Sequence, residues 1–295
     1  MLMTLHHLIQ TMTTSSSAKT IDTLVEDIYQ VLQGNAEISD SLVQELANDI
    51  ANTVRTRLSS SPDKRSHLSL SSVGKPLRRL WYDLNEPEED VPPPPYSRLK
   101  FLYGDIIEDI LLWLAKVSGH DVSGRQQEVK HFGVVGHIDS IIDGEVVDAK
   151  SASPRSYQKF ALGTLTKDDP FGYLAQLASY DAEVGKGNPG FLALNKVTGE
   201  ICLYRPDMLF DVPNTEEIIT KAKETVALPQ PPEDKCYEPV PDGKSGNMKL
   251  DKGCCFCPYK RKCWQGLRAF KYSDGVRYLT TVVKEPNVEE ILYGN

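Results

Sequence analysis

The apolar residues of the N-terminal region recur with the period of an α-helix. They form two series, separated by the polar stretch Asn35-Ala36-Glu37. The first series is Ile21, Leu24, Val25, Ile28 and Leu32, and the second is Leu42, Leu46, Ile50, Val54 and Leu58. This spacing predicts two amphipathic helices within an N-terminal segment, residues 18–68, that packs through its apolar faces. Residues 1–17 before it are expected to be a disordered tail.

A third helical pattern runs from Arg98 to Ser118. Its apolar positions form a wide stripe: Leu99, Leu102, Ile106, Ile107, Ile110, Leu111, Leu114 and Val117. Glu108 lies at the edge of that stripe, one turn after Gly104. A carboxylate there needs a polar partner or water, and from the spacing alone a solvated glutamate is the simpler interpretation.

After Gly119 the pattern changes to that of β-strands. Asp143-Gly144 lies between two β-branched, apolar runs, which predicts a hairpin with a two-residue turn in which both turn residues have positive φ. That turn predicts the register Ile142–Glu145, Ile141–Val146, Ser140–Val147 and Asp139–Asp148, with His137 opposite Lys150. Residues 191–195 and 200–204 predict a second hairpin that extends the same sheet.

Composition and charge narrow the class of protein. The 295 residues carry a net charge of −8, so the chain is not a generally basic nucleic-acid coat, and any DNA binding needs a local positive groove or a bound metal. No apolar run approaches the roughly 20 residues that span a bilayer, and the N-terminus lacks a secretory pattern, so we expect a cytoplasmic protein without membrane partners. Six cysteines in a cytoplasmic chain favour metal ligands over disulfides.

The predicted hairpin brings Asp139, Asp148 and Lys150 to one spot. The two aspartates lie directly opposite each other, where like charges are destabilising, and Lys150 shares their face because side chains alternate along a strand. A divalent cation such as Mg²⁺ or Mn²⁺ would remove the repulsion, since one or two carboxylates suffice to hold Mg²⁺. The alternative is a solvated face with an ordinary Lys–Asp pair, because such short spacings also arise by chance.

Asp139 followed by Asp148-Ala149-Lys150 resembles the signature of the PD-(D/E)XK nuclease superfamily. Gly104-x-x-x-Glu108 and Gln176-x-x-x-Tyr180 resemble further motifs of its RecB-like branch. The resemblance covers roughly residues 70–265 and implies a restriction-endonuclease-like α/β core with a central mixed sheet flanked by helices. It implies that Glu108, Asp139, Asp148 and the Ala149 carbonyl hold Mg²⁺ or Mn²⁺, and that Lys150, Gln176 and Tyr180 complete the catalytic site.

A cysteine cluster follows the predicted core. Cys254-x-x-Cys257 has the spacing of a metal-chelating loop, and Cys236 and Cys263 complete four thiols, which suits tetrahedral zinc or a [4Fe–4S] cluster. Cys255 is the spare thiol, or replaces Cys254. The tail resembles the clusters of CRISPR-associated RecB-like nucleases and of AddB, although the upstream cysteine of those proteins is missing here. The resemblance implies a metal that staples the C-terminal segment onto the core.

Basic and aromatic residues mark candidate nucleic-acid contacts. Lys75, Arg78, Arg79 and Trp81 combine positive charge with a stacking surface, a mixture that suits single strands; the alternative is a helix with a core tryptophan and solvated arginines. Lys260 and Arg261 lie inside the cysteine loop, and Tyr180 is a contact implied by the resemblance. The basic stretch 152–169 is expected to lie near the metal as a loop or short helix.

Together these features predict a metal-dependent deoxyribonuclease. The short chain and the absence of a helicase motif favour a stand-alone exonuclease, of the kind that bacteriophages encode for recombination, replication or repair, and we expect it to prefer single strands. The resemblance implies that its products carry 5′-phosphates. Its partners would be DNA with free ends and a recombination or annealing protein, and an oligomer is compatible with the sequence. The alternatives are a non-catalytic DNA- or protein-binding module organised by a four-cysteine metal site, and a zinc-bearing structural protein. The predicted units are the core at 69–230, the cysteine segment at 231–270 and a tail at 271–295 packed on the core.

Overall fold

The computed structural model describes residues 19–59, 67–87 and 95–292. The predicted disordered tail, residues 1–17, lies outside them. The helices are α1 (Leu24–Leu32), α2 (Asp40–Ser59), α3 (Leu77–Asn85), α4 (Pro95–Val117), α5 (Pro154–Ala161), α6 (Tyr173–Val184), α7 (Thr215–Val226), α8 (Lys252–Cys255) and α9 (Lys260–Cys263). The three helices predicted from periodicity are α1, α2 and α4, and the break between the first two falls where the polar stretch predicts it.

The strands form three sheets in the described part of the chain. They are β1 (Val122–Ser123), β2 (Glu128–His131), β3 (Val134–His137), β4 (Ser140–Ile142), β5 (Glu145–Ala152), β6 (Gly190–Asn195), β7 (Ile201–Tyr204), β8 (Val240–Pro241), β9 (Met248–Lys249), β10 (Arg268–Tyr272) and β11 (Gly275–Thr281). The central sheet has the order β1-β4-β5-β6-β7, the C-terminal sheet β10-β11-β9-β8, and β2 pairs with β3. Because β5 and β6 are parallel while the other neighbours are antiparallel, the central sheet is mixed, as predicted.

The predicted β4–β5 hairpin is confirmed. Asp143 and Gly144 have φ angles of 52° and 86°, and Ile142, Ile141 and Ser140 pair with Glu145, Val146 and Val147. The ladder ends there, one residue before the predicted Asp139–Asp148 pair. The prediction for His137 is wrong, because His137 pairs with Glu128 in the separate β2–β3 ladder instead of facing Lys150.

Helices cover both faces of the central sheet. Side chains of α1 and α4 pack with Val147 and Ala149 of β5 on one face, whereas α5 and α6 pack with Val146 and Ala152 on the other. Alternation along β5 explains this division, since successive side chains point to opposite faces. Asp148 and Lys150 therefore share the face that α6 covers.

The N-terminal helices dock on this core. The buried imidazole of His120 lies 2.6 Å from Asp143 Oδ2 in the hairpin turn and 3.1 Å from Asp27 Oδ2 on α1. Trp113 on α4 donates from Nε1 to the Leu42 carbonyl on α2 at 2.7 Å. Helix α4 is thereby held between the N-terminal helices and β5.

The C-terminal region is attached to the rest of the chain through aromatic residues. Tyr259 stacks on Tyr82 of α3 with ring centroids 5.1 Å apart, and its hydroxyl donates to Asp83 at 2.8 Å. Strand β10 runs across residue 270, where the sequence predicts a boundary, so the final residues continue the C-terminal sheet. Among the described helices, none has the length and apolar character needed to cross a membrane.

Candidate active site

Four charged side chains from three segments meet where the β4–β5 ladder ends. Asp139 directly precedes β4, Asp148 and Lys150 lie on β5, and Glu108 lies on α4. Helix α4 comes close to β5 here, since a Cβ added at Gly104 would lie 3.4 Å from Ser151 Oγ. The negative charge of Asp148 acts on both Glu108 and Asp139.

Asp148 is the most buried member of the group, with 1% of the residue exposed. Its Oδ1 accepts a hydrogen bond from Gln176 Nε2 at 3.3 Å. Its Oδ2 forms an ion pair with Lys150 but accepts no hydrogen bond of normal geometry. The Lys150 ammonium is therefore the cation that balances the charge of this buried oxygen.

Asp139 is held against the backbone of β5. Its Oδ2 accepts a hydrogen bond from the Ala149 amide at 2.9 Å. The N–H and C=O groups of one strand residue point to the same side of the strand, so the Ala149 carbonyl also faces the Asp139 end of the site. The predicted backbone ligand is therefore directed towards the carboxylates.

Lys150 provides the positive charge of the group. Its Nζ pairs with Asp148 and lies 5.1 Å from the centre of the Tyr173 ring. Burial alone would lower the pKa of Lys150, but the carboxylates of Asp148 and Asp139 outweigh it and raise that pKa. The side chain is consequently an ammonium ion at any ordinary pH.

Glu108 and Asp139 hold protons unusually strongly. Burial, followed by the negative charge of Asp148, raises the pKa of Glu108 to about 7, against the opposing effect of Lys150. Burial and the same aspartate raise the pKa of Asp139 well above its ordinary value. One lysine does not compensate three carboxylates, so the site has an excess of negative charge once they ionise.

This excess charge makes stability depend on pH. Between the ordinary glutamate pKa of 4.5 and the folded value of about 7, the folded protein binds more protons than the unfolded chain, so stability falls as the pH rises. Without divalent cations, we expect the Tm of the wild type to fall relative to that of Glu108→Gln by roughly 3 °C or more from about pH 5 to about pH 8. Thermal unfolding followed by circular dichroism measures this; parallel Tm curves for the two proteins would contradict it.

Helix α6 brings two further predicted residues to the site. Asp169 accepts hydrogen bonds from the amides of Tyr173 and Leu174 at 3.0 and 2.9 Å and so caps its N-terminus. Gln176 donates to Asp148 and lies 3.4 Å from the Tyr180 hydroxyl. Tyr180 is 1% exposed, so the nucleic-acid contact predicted for it is wrong, and its place is behind Gln176.

The four predicted cysteine ligands line one cavity. Cys236, Cys254, Cys257 and Cys263 border a cavity of about 490 Å³ between the C-terminal region and α5. Arg78 Nε lies 3.4 Å from Cys263 Sγ, while the Cys255 thiol points to the Leu250 carbonyl. Within residues 19–59, 67–87 and 95–292, however, no three His, Cys, Asp or Glu side chains form a ready-made metal-binding group.

Helix α3 has a structural role that corrects the predicted DNA contacts. The Trp81 ring is 4% exposed and donates from Nε1 to the Leu228 carbonyl at 2.9 Å, so it cannot stack on a base. Arg78 contacts Cys263 and the Pro232 carbonyl, and Lys75 lies 3.6 Å from Asp83 with 12% of its side chain exposed. Arg78 and Lys75 are therefore engaged by other groups of the protein.

The remaining predicted contacts lie near the cavity. Arg79 and Lys260 line it, and Arg261 is exposed on α9. The sequence did not single out Lys235, Lys252, Phe171 and Phe256, which also line it. The basic stretch 152–169 was the signal that could have led to this cavity, because it supplies Arg155 and Lys159.

Comparisons with known proteins give a weak structural likeness. The chain matches no protein family, and no curated protein is significantly similar to it in sequence. It is similar to the crystal structure of SSO0001, with a TM-score of 0.40 and 14% identity, over 75% of this chain and 95% of that one. A likeness of this degree carries no information about function.

Proposed function

We propose that this protein is a metal-dependent DNA nuclease with a PD-(D/E)XK core. The observation that carries the proposal is the meeting of Glu108, Asp139, Asp148 and Lys150 at the open end of the β4–β5 ladder. Three carboxylates gathered around one lysine destabilise a folded chain unless a cation joins them. A site whose purpose was structural would gain nothing from this arrangement.

The residues present fit Mg²⁺ or Mn²⁺. Magnesium takes oxygen ligands from one or two carboxylates together with substrate phosphate, so it does not need a cage of three protein side chains. Asp139 and Asp148 would hold it, with the Ala149 carbonyl and Glu108 alongside, and the excess of carboxylates over the single lysine supports this fit. A bound divalent cation polarises the phosphate and lowers the pKa of an attacking water.

The chain's own side chains would position and stabilise the reacting groups. Lys150 keeps its charge and is suited to stabilise the negative charge that develops on the phosphate. Gln176 holds the Asp148 carboxylate by its Oδ1, which leaves Oδ2 to pair with Lys150. Glu108, ionised above about pH 7, is suited to hold a water by accepting a hydrogen bond from it.

The 5′-phosphate product follows from the resemblance, whereas the preference for single strands is a proposal that the cleavage assay below tests. A single-strand-preferring exonuclease that leaves 5′-phosphates is the form of the activity we propose. The four cysteines that share a cavity are proposed to hold a [4Fe–4S] cluster or zinc, which would staple the C-terminal region to α3. Iron, sulfide and zinc analysis of protein purified without oxygen distinguishes the two.

The test is a cleavage time course on end-labelled linear DNA. Single strands, duplexes and closed circles are incubated with the protein in Mg²⁺, in Mn²⁺ or in EDTA. We expect loss of linear DNA that needs the divalent cation, is fastest on single strands and spares circles. Cleavage of circles would make the enzyme an endonuclease at the same site. No cleavage by folded protein in either metal would overturn the proposed function and favour a binding module.

A further inference from the structure

The cavity beside the cysteines adjoins the site around Lys150. A smaller cavity of about 190 Å³ is lined by Lys150 and Tyr173. It shares Ser156, Lys159 and Phe171 with the 490 Å³ cavity that the cysteines line, so the two cavities lie side by side. We call them together the cleft; α5 and the segment before α6 line one side of it, and the cysteine segment lines the other.

The cleft is basic although the chain is acidic. Two acidic residues, Asp168 and Asp251, line its larger part, and Asp251 is engaged in capping α8. Six cationic residues line the same part: Arg79, Arg155, Lys159, Lys235, Lys252 and Lys260. In a protein of net charge −8, this concentration of positive charge creates a local field that attracts a polyanion.

Some of these cations are not engaged within the protein. In the described part of the chain, Arg155 and Lys252 have no ion-pair partner. By contrast, Arg79 Nε lies 4.0 Å from Asp83 Oδ2, and Lys159 pairs with Asp168 at 2.7 Å. Arg155 lies on α5 and Lys252 on α8, so unpaired charges face the cleft from both walls.

Two exposed phenyl rings lie in the cleft. Phe256, between Cys255 and Cys257, is 90% exposed, and Phe171 is 49% exposed. The Phe171 ring stacks on Tyr173 with centroids 5.3 Å apart, and Tyr173 lies under Lys150 Nζ. A row of rings thus leads from the cleft to the lysine. Flat apolar rings beside unpaired cations are the combination that binds unstacked bases and their phosphates.

We infer that the cleft binds a single DNA strand and guides it to Lys150, with Phe171 and Phe256 stacking on bases and Arg155 and Lys252 contacting phosphates. The inference rests on the proposed function for the reaction at its end, but the binding itself does not need cleavage. A duplex is a poor occupant, because its bases are already stacked on one another and offer no free face to a phenyl ring.

The test is fluorescence anisotropy with labelled oligothymidine and a hairpin duplex, without added divalent cation. Phe256→Ala and Phe171→Ala should each weaken single-strand binding about 5- to 150-fold, because the stacked base loses its ring. Arg155→Ala and Lys252→Ala should each reduce the slope of log affinity against log salt by about 0.7. Duplex binding should be weaker and insensitive to the phenylalanine changes.

Matched controls lie outside the cleft. Phe101 on α4 is 55% exposed, and Lys244 is exposed in the turn between β8 and β9, so Phe101→Ala and Lys244→Ala should leave binding unchanged. Equal losses in cleft and control variants, or unchanged binding in the cleft variants, would overturn the inference. If the cleft variants weaken strand binding as expected but the wild type does not cleave DNA, the proposed cleft is supported and the proposed nuclease function is contradicted. If the wild type cleaves DNA and the cleft variants cleave it equally well, the nuclease function is supported and the role of the cleft is contradicted.

Discussion

Lys150→Ala is expected to lower metal-dependent cleavage of DNA by about 100- to 1000-fold or more, because it removes the positive charge beside the reacting phosphate. No other cation of the described structure forms an ion pair with Asp148, so no neighbouring lysine or arginine takes over its place. The near-isosteric Lys150→Met should lose as much activity, since it restores the volume but not the charge. Initial rates on end-labelled single strands in Mg²⁺ and Mn²⁺ measure the effect.

Two controls separate loss of charge from loss of fold. Lys130→Ala changes an exposed lysine on β2 and should keep full activity. Removing Lys150 also leaves three carboxylates without compensation, so the variant should unfold at a lower temperature in EDTA and recover partly when Mg²⁺ is added. A folded Lys150→Ala protein that cleaves at the wild-type rate would exclude the assigned role of Lys150.

Local signals in the sequence were enough to predict part of the site. Asp143-Gly144 determines the turn, the turn determines the register, and alternation then places Asp148 and Lys150 on one face of β5. The helical stripe predicts α4 as an element, but not that Glu108 faces β5. That position came from resemblance, because periodicity identifies an apolar face without identifying what covers it.

Interactions distant in sequence were not predictable in this way. His137 leaves the hairpin for a ladder with β2, and at Gly136 an added Cβ would lie 2.7 Å from both Leu70 and Tyr180. Trp81 is covered by Tyr82 and by the chain near Leu228, almost 150 residues later. The sequence around Trp81 is equally compatible with an exposed ring, so the burial of the ring is determined by tertiary packing alone.

The basic cleft shows the same limit. Arg155 and Lys252 are nearly 100 positions apart in the sequence but line the same cavity. The net charge of −8 gives no indication that these two cations lie on one cleft. Conversely, Arg78 and Lys75 are close to Trp81 in sequence and look like a DNA-binding motif, yet both are engaged by the protein. The pattern of charges along the chain predicts a binding surface only when the groups that pair with each charge are close to it in sequence.

Gly172→Ala is expected to destabilise the protein by about 2–5 kcal/mol, the largest effect on stability that we predict. Gly172 has a φ of 74°, and an added Cβ would lie 2.3 Å from the Cα of Gly74. The backbone of one of the two segments must therefore move. Since Gly172 precedes α6, the movement would displace Gln176 from Asp148 and lower activity as well.

Gly199→Ala is the matched control for the same substitution. Gly199 has a φ of 78°, but no atom lies within 4 Å of an added Cβ, so this variant carries the backbone strain without the clash. We expect it to cost about 1–2 kcal/mol and to leave cleavage unchanged. Urea unfolding gives both values, and equal losses in the two variants would show that Gly74 and Gly172 do not make the close contact on which the position of α6 depends.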